Sequence, residues 1–536
     1  MIRLIASLFL LLFIGAPHLM AQPDLPSEEV EVIKDFEANL EESEKLTLDP
    51  ELPALDTAGR KLTYEVPSKT IKVNYLPPKI RPIAMRGDKV DPGYKGFLKL
   101  GYGIPSSPYA EVAYNHSDPK RYDFGGHIRH HSANYNNVEN QRFNETFAKL
   151  NGTYYFDEGY ALTGKLGYTS DEVHFYGYDD DLDSYDREDI RQTFGTFGAN
   201  VRFYNAEPTQ GDINYRAEGD LYALSDNYAS DELGFKLDLG VTKWFNEVHP
   251  LNVDLVTDFT RFQDTATQNL NNFALKPNFT YHADRFKVRF GGNLTSNDDN
   301  FKLFPDIEAS VNIIGNKLAA YAGWNGDLYK NNFRNLSDYN PFIQSRFILE
   351  NTSYNNYYGG VRGNVSFVSY QVQAGLKDAD NLALFLNDPV DTIRFLTIYD
   401  NVSIFNIQGS LTATPIKDLD VTLTLGQNFY SPDNQEKAWH LPAIEFNAGL
   451  VYTALEDKLR LKADLFIENG VPILTLQGEE DRLNGLFDLS IGGHFQVTKN
   501  FGIFLDILNI ASNRRQRWYR YPTYGLNILG GITARI

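Results

Sequence analysis

From Tyr94 to the end of the chain, runs recur in which apolar residues fall on every second position. Leu233, Phe235, Leu237, Leu239 and Val241 alternate with Gly234, Lys236, Asp238, Gly240 and Thr242. Leu419, Val421, Leu423 and Leu425 alternate with Asp420, Thr422, Thr424 and Gly426. Leu459, Leu461, Ala463, Leu465 and Ile467 do the same with Arg460, Lys462, Asp464, Phe466 and Glu468. A period of two belongs to a strand with two unlike faces. The final run has Tyr524, Leu526, Ile528, Gly530, Ile532, Ala534 and Ile536 on one face, with Asn527, Thr533 and Arg535 on the other. A terminal strand with one apolar and one polar face is how a transmembrane β-barrel closes.

A soluble sandwich alternates too, so the connections are what discriminate. Short ones (Asp157-Glu-Gly159, Ala283-Asp284, Gly315-Asn316, Glu456-Asp457, Thr498-Lys-Asn500) alternate with long ones near 132–142, 179–189, 331–353, 380–400, 469–483 and 511–521. Short periplasmic turns alternating with long outer loops predict an all-β outer-membrane barrel of about 22 antiparallel strands. Aromatics at 14%, with 33 Tyr and 36 Phe, suit the girdles of such a barrel.

Residues 1–21 are predicted to be a secretory signal: Ile2-Arg3, an apolar run from Leu4 to Ile14, and cleavage after Ala21. That run is too short to cross a bilayer, which takes about 20 residues, so membrane entry would need a closed barrel. Residues 22–93 are acidic and then proline-rich (Pro50, Pro53, Pro67, Pro77, Pro78, Pro82, Pro92), which predicts an extended periplasmic segment ahead of a barrel at 94–536. The chain has no cysteine, which excludes disulfides and thiolate metal sites. A formal net charge of −20 argues against a nucleic-acid partner.

The end of the chain, Phe501-Gly-Ile-Phe-Leu-Asp-Ile-Leu-Asn-Ile510 followed by Tyr521-Pro-Thr-Tyr-Gly525 and the last strand, resembles the TonB-dependent receptors. Glu28-Glu-Val-Glu-Val-Ile33 looks like the short box by which those receptors offer a strand to TonB. The resemblance covers 94–536 and not the folded plug that precedes the family's barrel, so the chain looks most like plugless, Bacteroidota-type receptor barrels. It implies a role in transport across the outer membrane and a periplasmic, TonB-type protein partner. The residues offered to that partner are Glu29, Val30, Glu31, Val32 and Ile33, which could add to a sheet edge.

A barrel of this size has a lumen wide enough to need closing. The candidates are residues 22–93, which we expect to contribute, the loop 331–353, or a partner protein. Arg285, Lys287 and Arg289 alternate with Phe286, Val288 and Phe290, placing three cations on the lumen wall. They could draw in an anionic solute or pair with the acidic segment. Asp179–Asp183 with Asp186, Glu188 and Asp189 is either a solvated acidic loop or a calcium loop, although Ser184 and Ile190 break the EF-hand pattern. His127 and His131 share a face and His130 takes the other; two imidazoles do not complete a metal site. Arg514, Arg515, Arg517 and Arg520 with Trp518 and Tyr519 could contact lipopolysaccharide phosphate or be ordinary loop and interface arginines.

No G-x-S-x-G elbow, H-E-x-x-H helix or other catalytic motif is present, and no cofactor is implied. The predicted function is a plugless receptor-like barrel in transport, occluded by its N-terminal segment. The alternative is a non-conducting structural or assembly subunit, and a barrel enzyme is the remaining class. Outer-membrane lipid, lipopolysaccharide and a surface lipoprotein complete the expected partners.

Overall fold

The computed structural model describes residues 94–536 except 119, 136–137, 180–184, 210 and 298–299. The expected signal, the segment 22–93 and Glu29–Ile33 lie outside the described residues.

Twenty-two strands form one sheet, each antiparallel to its neighbours in the chain. The first, Gly96–Ile104, pairs with the last, Asn527–Arg535, in the register Leu98↔Ala534 and Leu100↔Ile532, so the sheet closes on itself. The N–H groups of Lys95 and Gly96 both donate to the carbonyl of Ile536, at 2.7 and 2.8 Å. Closure leaves no edge, which is what a sheet in hydrocarbon requires.

The alternation read from the sequence becomes two surfaces. Leu233, Phe235, Leu255, Leu376, Leu450 and Ile503 are exposed on the outer side. Between them Lys236, Asp254, Lys377, Asn447 and Asp506 point the other way, toward the lumen. An apolar band carried round a closed barrel is stable only with lipid against it, so this is a transmembrane barrel of the outer-membrane kind.

The connections depart from strict parity. One end carries the expected short turns, at 156–159, 283–285, 315–317, 455–458 and 497–500. The other end carries long loops at 175–190, 332–349, 469–485 and 509–526, but also short connections at 105–106, 227–230 and 264–266. The expected loop 380–400 is mostly strand: Val368–Asn387 and Phe395–Ile416 run 20 and 22 residues and pair up to Asn387↔Phe395. Ladder pairs such as Leu384↔Ile398 and Leu386↔Leu396 extend this hairpin past the apolar band. We call the long-loop end the outer end, as in barrels of this class.

Candidate functional site

The largest buried apolar core in the barrel fills its outer mouth. Phe194, Leu224, Phe262 and Leu270 supply it from strands on one side, and Phe385 and Phe395 from the long hairpin on the other. Between them lie Phe333, Leu336, Phe342, Ile343, Phe347 and Leu349 of the loop 332–349, Phe175 and Ile190 of 175–190, and Trp518 and Tyr521 of 509–526. The rings interlock: Phe342 stacks on Tyr521 at 3.8 Å between centroids, and Phe262 packs on Phe347 at 4.8 Å and on Phe333 at 5.3 Å. Four segments remote in sequence thus share one apolar core, which forms a cap.

Polar ties fasten the loop 332–349 to both sides. Its one helix, Phe333–Tyr339, begins at Asn332, whose side chain caps Asn335. Glu232, at the start of strand Asp231–Phe245, is buried and takes the N–H of Phe333 at 2.7 Å and of Arg334 at 3.3 Å. The same carboxylate accepts from Asn332 Nδ2 at 2.6 Å and from the Tyr222 hydroxyl at 2.8 Å. Free helix N–H groups favour an anion, and Glu232 supplies it from the barrel wall. Gln268 accepts from the N–H of Leu349 and donates to the carbonyl of Phe347, at 3.0 and 2.8 Å. Across the mouth, Phe395 N–H donates to Phe342 O at 3.0 Å and Gln344 N–H to Phe395 O at 2.9 Å.

The last loop is tied in the same way. Arg517 meets Glu468 at 3.3 Å, donates to the carbonyl of His440 at 2.9 Å and to the Tyr339 hydroxyl at 2.8 Å, and stacks on Trp518. His440, fully buried, donates from Nδ1 to the carbonyl of Phe385 at 2.7 Å, while its Nε2 faces the N–H of Tyr519 at 3.4 Å. Burial pushes its pKa down to about 3; the bond to Phe385 opposes this and the Arg517 charge adds to it. The imidazole is therefore neutral, with Nε2 an acceptor.

Below the cap the lumen wall is polar and many of its charges are paired. Arg216 bridges Asp238 and Asp254 at 2.9 and 2.8 Å, Lys330 meets Asp258 at 2.6 Å, and Lys99 and Lys462 share Asp506. Of the three predicted lumen cations, Arg289 pairs with Asp306 at 2.9 Å and with Glu308 at 3.7 Å on the next strand. Lys287 is exposed on the same strand, and Arg285 is exposed in the turn 283–285. A further sector is amide- and hydroxyl-rich. Recesses of about 320 and 540 Å³ share Thr424 and Asn447, and Gln371, Gln408, Thr422 and Asp464 add to their walls. Such a surface exchanges water bonds for solute bonds at little cost, which suits passage of polar solutes.

The remaining sequence candidates are dispersed. Asp180, Asp181 and Asp183 lie outside the described residues, and among the described residues no group of three metal-ligating side chains occurs. His127 meets Glu111 at 2.9 Å and His131 meets Ser107 at 3.2 Å, while His130 bonds Thr146 at 3.0 Å on the other face. Ser107 is fully buried. Arg517 and Arg520 are bound into the cap, and Arg514 and Arg515 remain exposed. Sequence reasoning missed Glu232, Gln268 and His440. The one visible signal was the density of Phe333, Leu336, Phe342, Ile343, Phe347 and Leu349 within a supposed outer loop.

The fold is a closed 22-strand barrel of the outer-membrane kind, with loops packed across its outer mouth. No protein-family model and no curated protein matches the sequence. Among solved structures, the FrpB iron transporter from Neisseria meningitidis (F3-3 variant) is similar with a TM-score of 0.65 at 7% identity, over 83% of this chain and 82% of that one. The pyoverdine outer membrane receptor FpvA from Pseudomonas aeruginosa PAO1, bound to pyoverdine, gives 0.63 at 10% identity, over 83% and 79%. A mutant of the ferric enterobactin receptor PfeA from Pseudomonas aeruginosa gives 0.62 at 11%, over 82% and 80%. These neighbours are TonB-dependent receptors with 22-strand barrels, and the likeness is one of fold.

Proposed function

We propose that this chain is a transport barrel of the outer membrane whose mouth is shut by its own loops, with 332–349 as the main closure. The supporting observation is the apolar core that joins this loop to both sides of the mouth. The pyoverdine and iron in the neighbours' names make a scarce, bulky polar solute a reasonable class of substrate. A periplasmic TonB-type partner engaging Glu29–Ile33, and a surface lipoprotein over the cap, belong to the same reading. The expected contribution of residues 22–93 to closure becomes secondary in it.

The test is conductance in planar bilayers of two variants, one with 334–346 replaced by a Gly-Ser linker and one lacking 28–93. Folding of each is checked by heat-modifiable gel migration. Opening of the loop variant alone supports closure by the cap, and opening of the 28–93 deletion alone returns closure to the segment. The second reading is a non-conducting assembly subunit, which the depth of the cap core favours. It predicts that the loop variant stays silent yet loses association with its complex.

A further inference from the structure

Three adjacent strands bring a basic row to the outside of the barrel near its outer rim. These are Arg142–Tyr155, Tyr160–His174 and Arg191–Asn205. Phe143 is paired with Val173, which sets Arg142 beside His174, and His174 is paired with Arg191. Alternation sends the row outward. His174 has the parity of Leu162, Leu166 and Tyr168, Arg191 that of Phe197 and Val201, and Arg142 that of Leu150 and Tyr154, all exposed on the lipid side. Val173, of opposite parity, packs against the cap inside. Arg187, from the loop 175–190, lies close enough to act on both Arg142 and His174.

The row has more donors than acceptors. His174 is fully buried, and neither ring nitrogen has a hydrogen-bond partner among the described residues. The buried Nε atoms of Arg142 and Arg191 have none either. The neighbouring carboxylates are Glu188, 2.9 Å from Arg191, and Glu172, which acts on Arg142. Among the described residues, three guanidiniums therefore face two carboxylates around an imidazole without a partner. Buried donors without acceptors are uncommon in native folds and call for a missing acceptor. His174 lies six residues beyond Tyr168, about 20 Å along the strand at about 3.3 Å per residue. Ser170 and Glu172 share its outward parity between them. The row thus stands above the hydrocarbon, at the level of headgroups and their sugars.

We propose that Arg142, Arg187, Arg191 and His174 form a phosphate-binding site on the outer rim, in which guanidinium forks grip the oxyanion from two strands and a loop. The phosphate belongs either to a phosphorylated glycolipid of the outer leaflet or to a free anion. This is a different place from Arg514–Arg520, where Arg517 and Arg520 serve the cap.

The full chain in detergent is compared with the triple variant Arg142→Gln/Arg187→Gln/Arg191→Gln and with Arg187→Gln alone, whose loop position spares the barrel. Heat-modifiable migration confirms that each barrel is closed. The probes are phosphorylated and dephosphorylated lipopolysaccharide, read by native mass spectrometry, and inorganic phosphate, read by thermal shift. The wild type should retain the phosphorylated glycolipid at least about tenfold better than the triple variant, since several charge-assisted bonds are lost, with Arg187→Gln between. Dephosphorylated glycolipid should not distinguish them. A shift with inorganic phosphate that only the wild type shows, with equal glycolipid retention, assigns the site to a free anion. Equal behaviour of wild type and triple variant toward both phosphate probes overturns the proposal.

Discussion

Replacing Glu232 by Ala should open the mouth of the barrel. The carboxylate is buried to 1% exposure and holds three donors of the cap, Phe333 N–H, Arg334 N–H and Asn332 Nδ2, and one of the barrel wall, the Tyr222 hydroxyl. Alanine leaves these donors facing a void. A hydrogen bond to a charged group is worth about 1.5–3 kcal/mol, and the four are coupled rather than additive. Removing the shared acceptor leaves buried neutral donors unsatisfied and should cost on the order of 3–5 kcal/mol of cap docking. At about 1.4 kcal/mol per tenfold, the closed-to-open ratio falls by roughly two to three orders of magnitude. Glu232→Gln keeps one acceptor oxygen and should fall between. The control is Glu218→Ala, a wall carboxylate bonded to Asn200 and Arg202 rather than to the loop. Single-channel recording gives the open fraction, and tryptic cleavage after Arg334 and Arg346 reports loop release independently. A folded Glu232→Ala barrel that stays silent and resists trypsin like the wild type would refute the latch.

Two further outcomes follow from the same geometry. Leu411→Arg puts a cation on the outer face, close to the middle of the apolar band, and should cost about 2–4 kcal/mol of insertion, whereas Ser410→Arg, one residue away on the lumen face, should cost little; refolding into vesicles checks this, and equal costs would mean the faces are misassigned. Acid should loosen the cap: below the ordinary histidine pKa of about 6.5 the released loop takes up a proton that packed His440, with its pKa near 3, refuses, so the stability present at neutral pH is lost as pH falls, by about 2 kcal/mol at pH 5. Hydrogen exchange of 433–443 should rise on acidification in the wild type and change less in His440→Asn.

The barrel was legible because a closed sheet in lipid imposes one rule on every strand. Leu233 to Val241 or Leu419 to Leu425 can be read without knowing any partner, since pleat and solvent alone fix their directions. Closure of the first strand on the last follows from strand parity, and the pairing Leu100↔Ile532 realises it. The cap obeys no such local rule. Phe333, Phe385, Phe395, Trp518 and Tyr521 come from segments far apart in the chain, and each alone looks like an ordinary loop or strand-end aromatic. Even Glu232 reads as one more inward polar residue, and that it caps a helix a hundred positions later is visible only in space. The loop expected at 380–400 failed for a related reason: Leu384 and Leu386 continue the ladder past the apolar band, paired with Ile398 and Leu396 of the next strand.

The construction of the cap bears on how such a barrel could work. The loop 332–349 stays joined at both ends to strands that are themselves hydrogen-bonded neighbours, Leu318–Asn331 and Glu350–Val365. To release, the loop has to peel from Phe262 and Gln268 on one side and from Phe395 and Tyr521 on the other. Its apolar burial is opposed by the entropy of ordering a long loop, a term of the same order, so the balance rests with the few polar ties. Those ties sit at separate points, Glu232, Gln268 and Arg517, so a solute arriving from outside can compete for one while the others hold. A ligand shifts this equilibrium only by its preference for the open cap. A transporter thus needs a solute or a periplasmic partner that prefers the open form, whereas a scaffold needs neither. Conductance of the Glu232→Ala barrel without any added solute separates the two, because a scaffold whose lumen never conducts should remain silent once the latch is gone.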